Sequence, residues 1–244
     1  MRDDRRSFLA FAVAGVASGT AGSMLGSCAR PSPAAARAPD RAEASPGDDE
    51  VTPAEDLMRE HGVLRRVMYL YDDAADRLLG LRAGERDVPL DALAGCAGIV
   101  RRVIEDYHEK LEEEFLFPRF EKAGKLAELT AILRRQHVAG RAVTEHIVRL
   151  TGARLADADR AALAAALRSF NHMYRPHAAR EDTVLFPELR GLVGKRAYEE
   201  LGDQFEDKEK QMLGDHGFER AVDEVARLER AFGLDDLARL TAVS

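Results

Sequence analysis

The chain of 244 residues is acidic, with 36 basic and 43 acidic side chains and a net charge of −7. Its 45% hydrophobic and 32% charged content is typical of a globular protein of one or two domains that buries a core. This composition excludes a wholly disordered chain and a multi-span membrane protein, and an acidic chain without a long basic run argues against nucleic acid as a partner.

The first segment in chain order, 1–27, differs from the rest in composition. Arg5 and Arg6 precede the uncharged, Ala- and Gly-rich stretch 10–26. This stretch is too short and too poor in Leu and Ile for a spanning helix, and its pattern is typical of a targeting signal. It resembles a twin-arginine translocation signal, which predicts export of the folded protein to the periplasmic or outer cell-surface side. An uncleaved N-terminal anchor is the alternative.

Residues 25–28, Leu-Gly-Ser-Cys, resemble a lipoprotein processing box. In that interpretation Cys28 becomes the lipidated first residue, and its lipid is the only contact with a membrane. The alternative is cleavage nearby by an ordinary signal peptidase, with Cys28 incidental. The Pro- and Ala-rich segment 28–52 shows no apolar period and is predicted to be a linker.

From Pro53 onward, apolar residues recur at helical spacing. The pattern predicts four amphipathic helices, at about 53–80, 89–118, 124–152 and 157–186, joined by short connections. Four such helices predict an all-α fold, an up-down-up-down four-helix bundle over 53–190. Two further helices, near 194–213 and 217–232, form a C-terminal helical extension over 191–244. We expect it to pack on the outside of the bundle, with a homodimer contact as the alternative.

Six polar residues stand where the helix stripes would otherwise bury apolar side chains: His61, His108, Glu112, His137, His177 and Glu181. A single histidine in such a place is usually a hydrogen-bonded core residue. Two buried carboxylates, however, are costly unless something compensates them, and with four imidazoles they are compensated best around a cation. His108 and Glu112 are spaced i, i+4, as are His177 and Glu181, so each pair lies on one helix face.

The segments 108–118 and 177–187 repeat each other at an offset of 69 residues, and both end in Leu-Phe-Pro. The other two helices match more weakly, because Glu60 precedes His61, Gln136 precedes His137, and an Arg follows each histidine four residues later. The bundle is therefore predicted to consist of two similar helix pairs. Each pair contributes a His and a His-x-x-x-Glu motif, and together they form a two-metal site.

These motifs, over about 53–190, resemble the hemerythrin-like, or HHE cation-binding, domain. The resemblance implies a non-haem diiron centre inside the bundle, with two iron ions joined by an oxo or hydroxo bridge. It further implies that Glu112 and Glu181 bridge the irons and that the four histidines are terminal ligands.

The chain departs from oxygen-carrying hemerythrins at two places. They have a second histidine one turn after the one on the third helix, where this chain has Arg141. Their last carboxylate stands five residues after the last histidine, whereas here both Glu181 and Asp182 are acidic. The internal repeat favours Glu181, because it aligns with Glu112, and Asp182 then aligns with Glu113, on the surface or beside the ligands.

The missing histidine argues against reversible oxygen carriage and favours sensing or redox chemistry with a small diatomic or peroxide ligand. One hypothesis is a protein that senses or sequesters iron, dioxygen or nitric oxide. A second is a diiron enzyme that decomposes hydrogen peroxide, for which hemerythrin-like relatives offer a precedent. A third is a metal with a purely structural role that stabilises the fold. Zinc or manganese stays open, since ligand type alone does not separate them from iron.

Several neighbours of the six residues have two interpretations. Tyr107 and Tyr174 pack in the core or hydrogen-bond an iron-bound ligand, and Arg65 and Arg141 pair with a bridging carboxylate or reach solvent. The acidic residues Glu109, Glu113 and Glu114 are expected on a solvated face, with Glu109 near enough to be a secondary ligand. The remaining predictions place three histidines near the surface or beside the ligands and one thiol in the core: His146, His172, His216 and Cys96.

Overall fold

The computed structural model describes residues 51–82, 87–152 and 155–241. The predicted signal 1–27, Cys28 and nearly all of the linker lie outside the described residues. The described part contains six helices and no strand, as the all-α prediction requires. Four of these helices are regular over their whole length: α1 Pro53–Leu78, α3 Ala127–Thr151, α5 Lys195–Leu213 and α6 Gly217–Phe232.

The other two helices, α2 over 90–123 and α4 over 157–193, contain wider π-helical turns. In α2 these are Val100–His108 and Glu112–Leu116, and in α4 the turn is Glu181–Leu185. The α-helical parts are Leu90–Ile99, Glu109–Leu111, Phe117–Ala123, Asp157–Arg180 and Phe186–Val193. The segments Glu112–Leu116 and Glu181–Leu185 occupy matching positions of the internal repeat, whereas the counterpart of Val100–His108 in α4 is α-helical.

The predicted ends of the second and fourth helices, near 118 and 186, were wrong. Both helices continue past Pro118 and Pro187 to Ala123 and Val193. Each proline stands in the first turn of the α-helical segment that follows a π-helical one, where its missing N–H group costs least. The Leu-Phe-Pro motif therefore marks a change of helix type and not a helix end.

Helix α1 begins where the sequence places a strong start signal. Thr52 and Glu55 form a capping box, in which Glu55 N donates to Thr52 Oγ1 at 3.3 Å and Thr52 N donates to Glu55 Oε2 at 2.9 Å. Pro53 occupies the first helical position, where no N–H group is needed. These contacts fix the register of α1 two turns before His61.

Cross-helix contacts confirm the up-down-up-down bundle. Residues near the end of α1 contact the early part of α4, as Asp76 does with Arg168, while His61 near its start contacts Asp182. The α2–α3 pair runs antiparallel in the same way, with contacts from Arg101 to Glu145 and, at the other end, from Glu121 to Arg134. Two apolar clusters fill the interior. Along α1, α3 and α4 the polar positions fall between them, whereas on α2 His108 and Glu112 alternate with Tyr107, Leu111 and Leu116 of one cluster.

The C-terminal extension packs on the outside of the bundle. Helix α6 lies across α1 and α2 and buries Ala221, Val225 and Phe232, while Arg66 of α1 pairs with Glu229. None of the described helices is long and apolar enough to cross a bilayer. Cys96 is buried in the bundle core, as expected, and burial raises the pKa of its thiol to about 12.

Candidate metal centre

The six predicted site residues meet in one buried cluster, and none is more than 4% exposed. Each carboxylate spans two histidines from different helices. Glu112 places Oε1 3.7 Å from His108 Nε2 and Oε2 3.3 Å from His137 Nε2. Glu181 places Oε1 3.1 Å from His177 Nε2 and Oε2 3.4 Å from His61 Nε2. The two carboxylates therefore lie between two histidine pairs.

The histidine pairs define two possible metal positions. At position 1 the rings of His61 and His108 have centroids 4.6 Å apart, and at position 2 the Nε2 atoms of His137 and His177 are 3.2 Å apart. The ligand atoms of His61, His108 and Glu112 lie within 4.8 Å of one another, as do those of Glu112 with His137, His177 and Glu181. Glu112 belongs to both groups, and Glu181 reaches both histidine pairs.

Every histidine of the cluster is held from behind through its Nδ1 atom. His61 donates to Asp182 at 2.7 Å and His108 to Glu60 at 2.7 Å. His137 contacts Glu113 at 3.1 Å, and His177 contacts the side-chain oxygen of Gln136 at 2.9 Å. A histidine that binds a metal through Nε2 carries its proton on Nδ1 and donates it to an oxygen acceptor. All four rings have such an acceptor.

In both halves of the bundle, an arginine lies behind the carboxylate that supports a histidine. Arg65 pairs with Asp182, and Arg141 lies 2.7 Å from Glu113, so each outer carboxylate has a guanidinium behind it. Neither arginine pairs with Glu112 or Glu181. Arg65 reaches solvent while it pairs with Asp182, and Arg141 is half-buried against Glu109 and Glu113. The Phe residues of the Leu-Phe-Pro motifs also match: Phe186 stacks on His61 and Phe117 on His137, each with ring centroids 5.5 Å apart.

Within the described part of the chain, several atoms at the centre of the cluster lack hydrogen-bond partners, unlike the Nδ1 atoms of the histidines. Among the described residues, both carboxylate oxygens of Glu112, both of Glu181 and Nε2 of His108 are buried without a hydrogen-bond partner. A buried polar atom left unsatisfied costs about 1–3 kcal/mol, and more when it is charged. Carboxylate oxygens and imidazole nitrogens are ligands for divalent metals such as iron and zinc. The donor set, its burial and the oxygen acceptor at each Nδ1 therefore fit a cation.

The pKa values of the residues in the cluster shift in different directions. Burial lowers the pKa of His61, but its hydrogen bond with Asp182 and the nearby charge of Glu181 outweigh burial and raise it to about 9. Burial lowers the pKa of His137 to about 4 and that of His108 well below its ordinary value. Burial, with the nearby Glu181 charge, raises the pKa of Glu112 well above its ordinary value. In the metal-free cluster, His61 therefore holds a proton near neutral pH.

The expectation of a solvated face for Glu109 and Glu113 was wrong. Glu109 is buried and accepts a hydrogen bond from the Tyr174 hydroxyl at 2.6 Å, and Arg141 lies 2.8 Å from its other oxygen. Burial raises the pKa of Glu109 to about 8. The π-helical turns of α2 widen the helix and turn these residues inward from the 3.6-residue pattern. Glu114 alone of the three is exposed.

Sequence reasoning noted Glu60 and Gln136 only as matching neighbours and missed their contact with the histidines. Their position directly before His61 and His137 was the available signal. Glu60 also shares a buried acidic group with Asp56 and Glu209. The other three histidines stay outside the cluster: His146 is partly buried beside Arg149, and His172 and His216 are exposed.

Comparison with known proteins agrees with this geometry. The family model of the hemerythrin HHE cation binding domain matches residues 52–189. The chain belongs to the hemerythrin HHE family. Two similar relatives are uncharacterized proteins of Mycobacterium tuberculosis and Mycobacterium bovis, each 42% identical over 189 residues, which cover 77% of this chain and 72% of the relative. No solved structure matches the chain significantly.

Membership of the HHE family indicates that the domain binds a cation. The matched residues include all six members of the buried cluster. The family and the geometry therefore point to the same part of the bundle as the place where a cation is held.

Proposed function

We propose that the protein is an exported non-haem diiron protein that binds two iron ions and senses, or reacts with, dioxygen, peroxide or nitric oxide. One observation carries the proposal. The four unpartnered oxygens of Glu112 and Glu181 lie among the Nε2 atoms of four histidines in a buried interior. Two carboxylates, each spanning both histidine pairs, suit two cations better than one, as in two-metal sites generally.

In this proposal, His61 and His108 hold one iron and His137 and His177 hold the other, with Glu112 and Glu181 between them. Iron held by imidazole and carboxylate ligands with open positions supplies redox chemistry with small oxygen or nitrogen species. The protein orients its ligands through the Nδ1 contacts, and the apolar clusters above and below exclude water. Arg141, which stands where oxygen carriers have a further histidine, pairs with Glu109 and Glu113. It offers no ligand, which supports sensing or redox chemistry over oxygen storage.

Decomposition of hydrogen peroxide is the second candidate function, and the pair formed by Tyr174 and Glu109 favours it. The ring of Tyr174 lies beside that of His177, with centroids 5.3 Å apart, and its hydroxyl donates to Glu109 Oε1 at 2.6 Å. Since burial raises the pKa of Glu109 to about 8, this carboxyl group holds a proton near neutral pH. Peroxide cleavage consumes and returns protons, and this pair can hold one at Glu109 next to the site.

Export and lipid anchoring complete the proposal. Arg5, Arg6 and the uncharged stretch 10–26 support twin-arginine translocation, and Cys28 supports attachment to a membrane by a lipid. The linker that follows would hold the bundle away from the membrane surface. A bundle that binds its iron before export would be a suitable cargo for a pathway that carries folded proteins.

Metal analysis with an absorption spectrum under air tests the proposal directly. We expect two irons per chain and an iron charge-transfer band that is lost in the Glu112→Ala variant. Exposed Glu128, on the outer face of α3, provides a matched control, because Glu128→Ala should leave both readouts unchanged. One ion or none after iron loading would contradict a two-iron site. Oxygen release on adding peroxide would separate the enzyme from the binding protein, and a loaded protein inert to all three small molecules would indicate a structural metal.

A further inference from the structure

The internal repeat is broken at one pair of residues that support the histidines. Glu60 and Gln136 occupy equivalent places, directly before His61 and His137. Glu60 accepts from His108 Nδ1 at 2.7 Å, whereas Gln136 accepts from His177 Nδ1 at 2.9 Å through its amide oxygen. The other two supporting residues, Asp182 and Glu113, are both carboxylates. Position 1 therefore has two carboxylate-supported imidazoles, and position 2 has one.

We infer that the two metal positions are inequivalent and that Glu60 and Gln136 set their order of filling. The first ion binds at position 1, and the second binds at position 2. The inference rests on the proposed two-metal site and adds to it which residues distinguish the two ions.

The physical cause is the acceptor behind each ring. A carboxylate that accepts the Nδ1 proton makes Nε2 a stronger electron donor to a metal than a neutral amide does, and loss of such a partner typically costs 10–100-fold in metal affinity, as an order of magnitude. Asp56 and Glu209 lie in the same buried group as Glu60. Acidic side chains are thus concentrated behind His108.

Ligand count is the competing influence. Position 2 has four ligand atoms grouped within 4.8 Å, from Glu112, His137, His177 and Glu181, whereas position 1 has three, from His61, His108 and Glu112. Glu181 Oε2 nevertheless lies 3.4 Å from His61 Nε2, so Glu181 also reaches an ion at position 1. Each position then has two histidines and the same two carboxylates as ligands. The difference in metal affinity between the positions therefore comes from the residues that support the histidines.

The weaker position also borders the polar pair described above. His177 belongs to position 2, and the ring of Tyr174 lies beside it. In the repeat, the residue that matches Glu109 is Ala178, so the other half lacks this carboxyl group. The more readily exchanged ion is therefore the one next to the hydrogen-bonded pair of Tyr174 and Glu109.

Titration of the metal-free protein with Co²⁺ tests the inference, with stepwise affinities from calorimetry and the number of bound ions from visible absorption. We expect two steps, the first roughly 10–100-fold tighter than the second. Glu60→Gln should weaken the first step and bring the two affinities together. Gln136→Glu should strengthen the second step and leave the first unchanged. Glu128→Gln, on the exposed face of α3, is the control for a change in surface charge.

The outcomes separate the inference from the function on which it rests. Two equal steps in the wild-type protein, or a Gln136→Glu variant with an unchanged second step, would overturn the order while leaving the two-metal site intact. Binding of fewer than two ions would overturn both. Because Gln136 is only partly buried, Gln136→Glu provides a folded test even if Glu60→Gln does not fold.

Discussion

Asp182 on α4 accepts a hydrogen bond at 2.7 Å from Nδ1 of His61 on α1. It follows Glu181 directly in the chain, yet the two side chains have different tasks. Glu181 is fully buried and lies against Nε2 of His61 and His177, while Asp182 holds His61 from behind and also meets Arg65. In the other half, Glu112 lies against Nε2 of His137, while Glu113 contacts Nδ1 of His137 and also meets Arg141. The wider π-helical turn that begins at Glu181 lets adjacent residues approach one histidine from two sides.

This division predicts a difference between two neighbouring variants. Glu181→Ala should remove most of the bound iron, because it deletes oxygens that reach both positions. Asp182→Ala should weaken one position only, by roughly 10–100-fold as expected for a supporting residue. Iron per chain, measured by elemental analysis after equal loading, compares them. Equal losses from both variants would mean that Glu181 is not the ligand.

Metal should stabilise the bundle in a pH-dependent way. Folding raises the pKa of His61 from 6.5 to about 9, so His61 stabilises the metal-free protein below about pH 6.5 and this contribution is lost as pH rises through 9. His137 acts in the opposite direction, since its pKa falls to about 4 and stability is lost as pH falls from about 6.5 towards 4. Ligands bind metal only when deprotonated, so the increment from iron should be largest at alkaline pH.

Thermal unfolding of metal-free and iron-loaded protein from about pH 8 to about pH 5 measures this increment across the imidazole range. We expect a higher melting temperature with iron at the alkaline end and convergence of the two curves at the acid end. An increment that is the same at both ends, or absent at the alkaline end, would show that the six residues do not share one metal site.

Metal binding should also release protons. At pH 7.5 the raised pKa of His61, about 9, leaves its imidazole protonated in the metal-free protein. This proton must leave when His61 binds a metal. Calorimetry in buffers of different ionisation enthalpy counts the protons released. Binding without proton release would contradict the assignment of His61 as a ligand.

Gly140 should not tolerate a side chain. A Cβ atom at this position would lie 1.9 Å from the Tyr174 hydroxyl, so Gly140→Ala must displace the buried Tyr174 ring that packs against His177. We expect a loss of about 1–3 kcal/mol in unfolding free energy, the usual cost of overpacking. Gly191→Ala is the control, because nothing lies within 4 Å of that Cβ. Urea unfolding in which both variants match the wild type would disprove the close approach.

Export is testable by two replacements near the N-terminus. Changing Arg5 and Arg6 together to Lys should leave the precursor in the cytoplasm, because the receptor reads the arginine pair. Cys28→Ala should leave an exported, folded protein that no longer fractionates with membranes. Continued membrane association of the Cys28→Ala variant would indicate that the uncleaved segment 10–26 is the anchor instead.

Much of the site was predictable from local pattern. Helical spacing placed His61 and His137 on buried stripes, and the i, i+4 motifs with their offset of 69 residues paired His108 with Glu112 and His177 with Glu181. These features depend only on the period of the helix and on the cost of burying unpaired carboxylates, both of which act within a single segment.

The supporting contacts depended on the assembled bundle. Each joins residues on different helices, such as His108 with Glu60 or His177 with Gln136, and sequence separations of 48 and 41 residues leave no local period to reveal them. The inward turn of Glu109 and Glu113 was equally hidden, because π-helical turns change which face a residue occupies. The sequence alone therefore determined the fold class and the six inner residues. Only the packing of four helices decided which residue contacts the Nδ1 atom of each histidine. Each of these contacts joins two helices, so it depends on how the helices are aligned along one another.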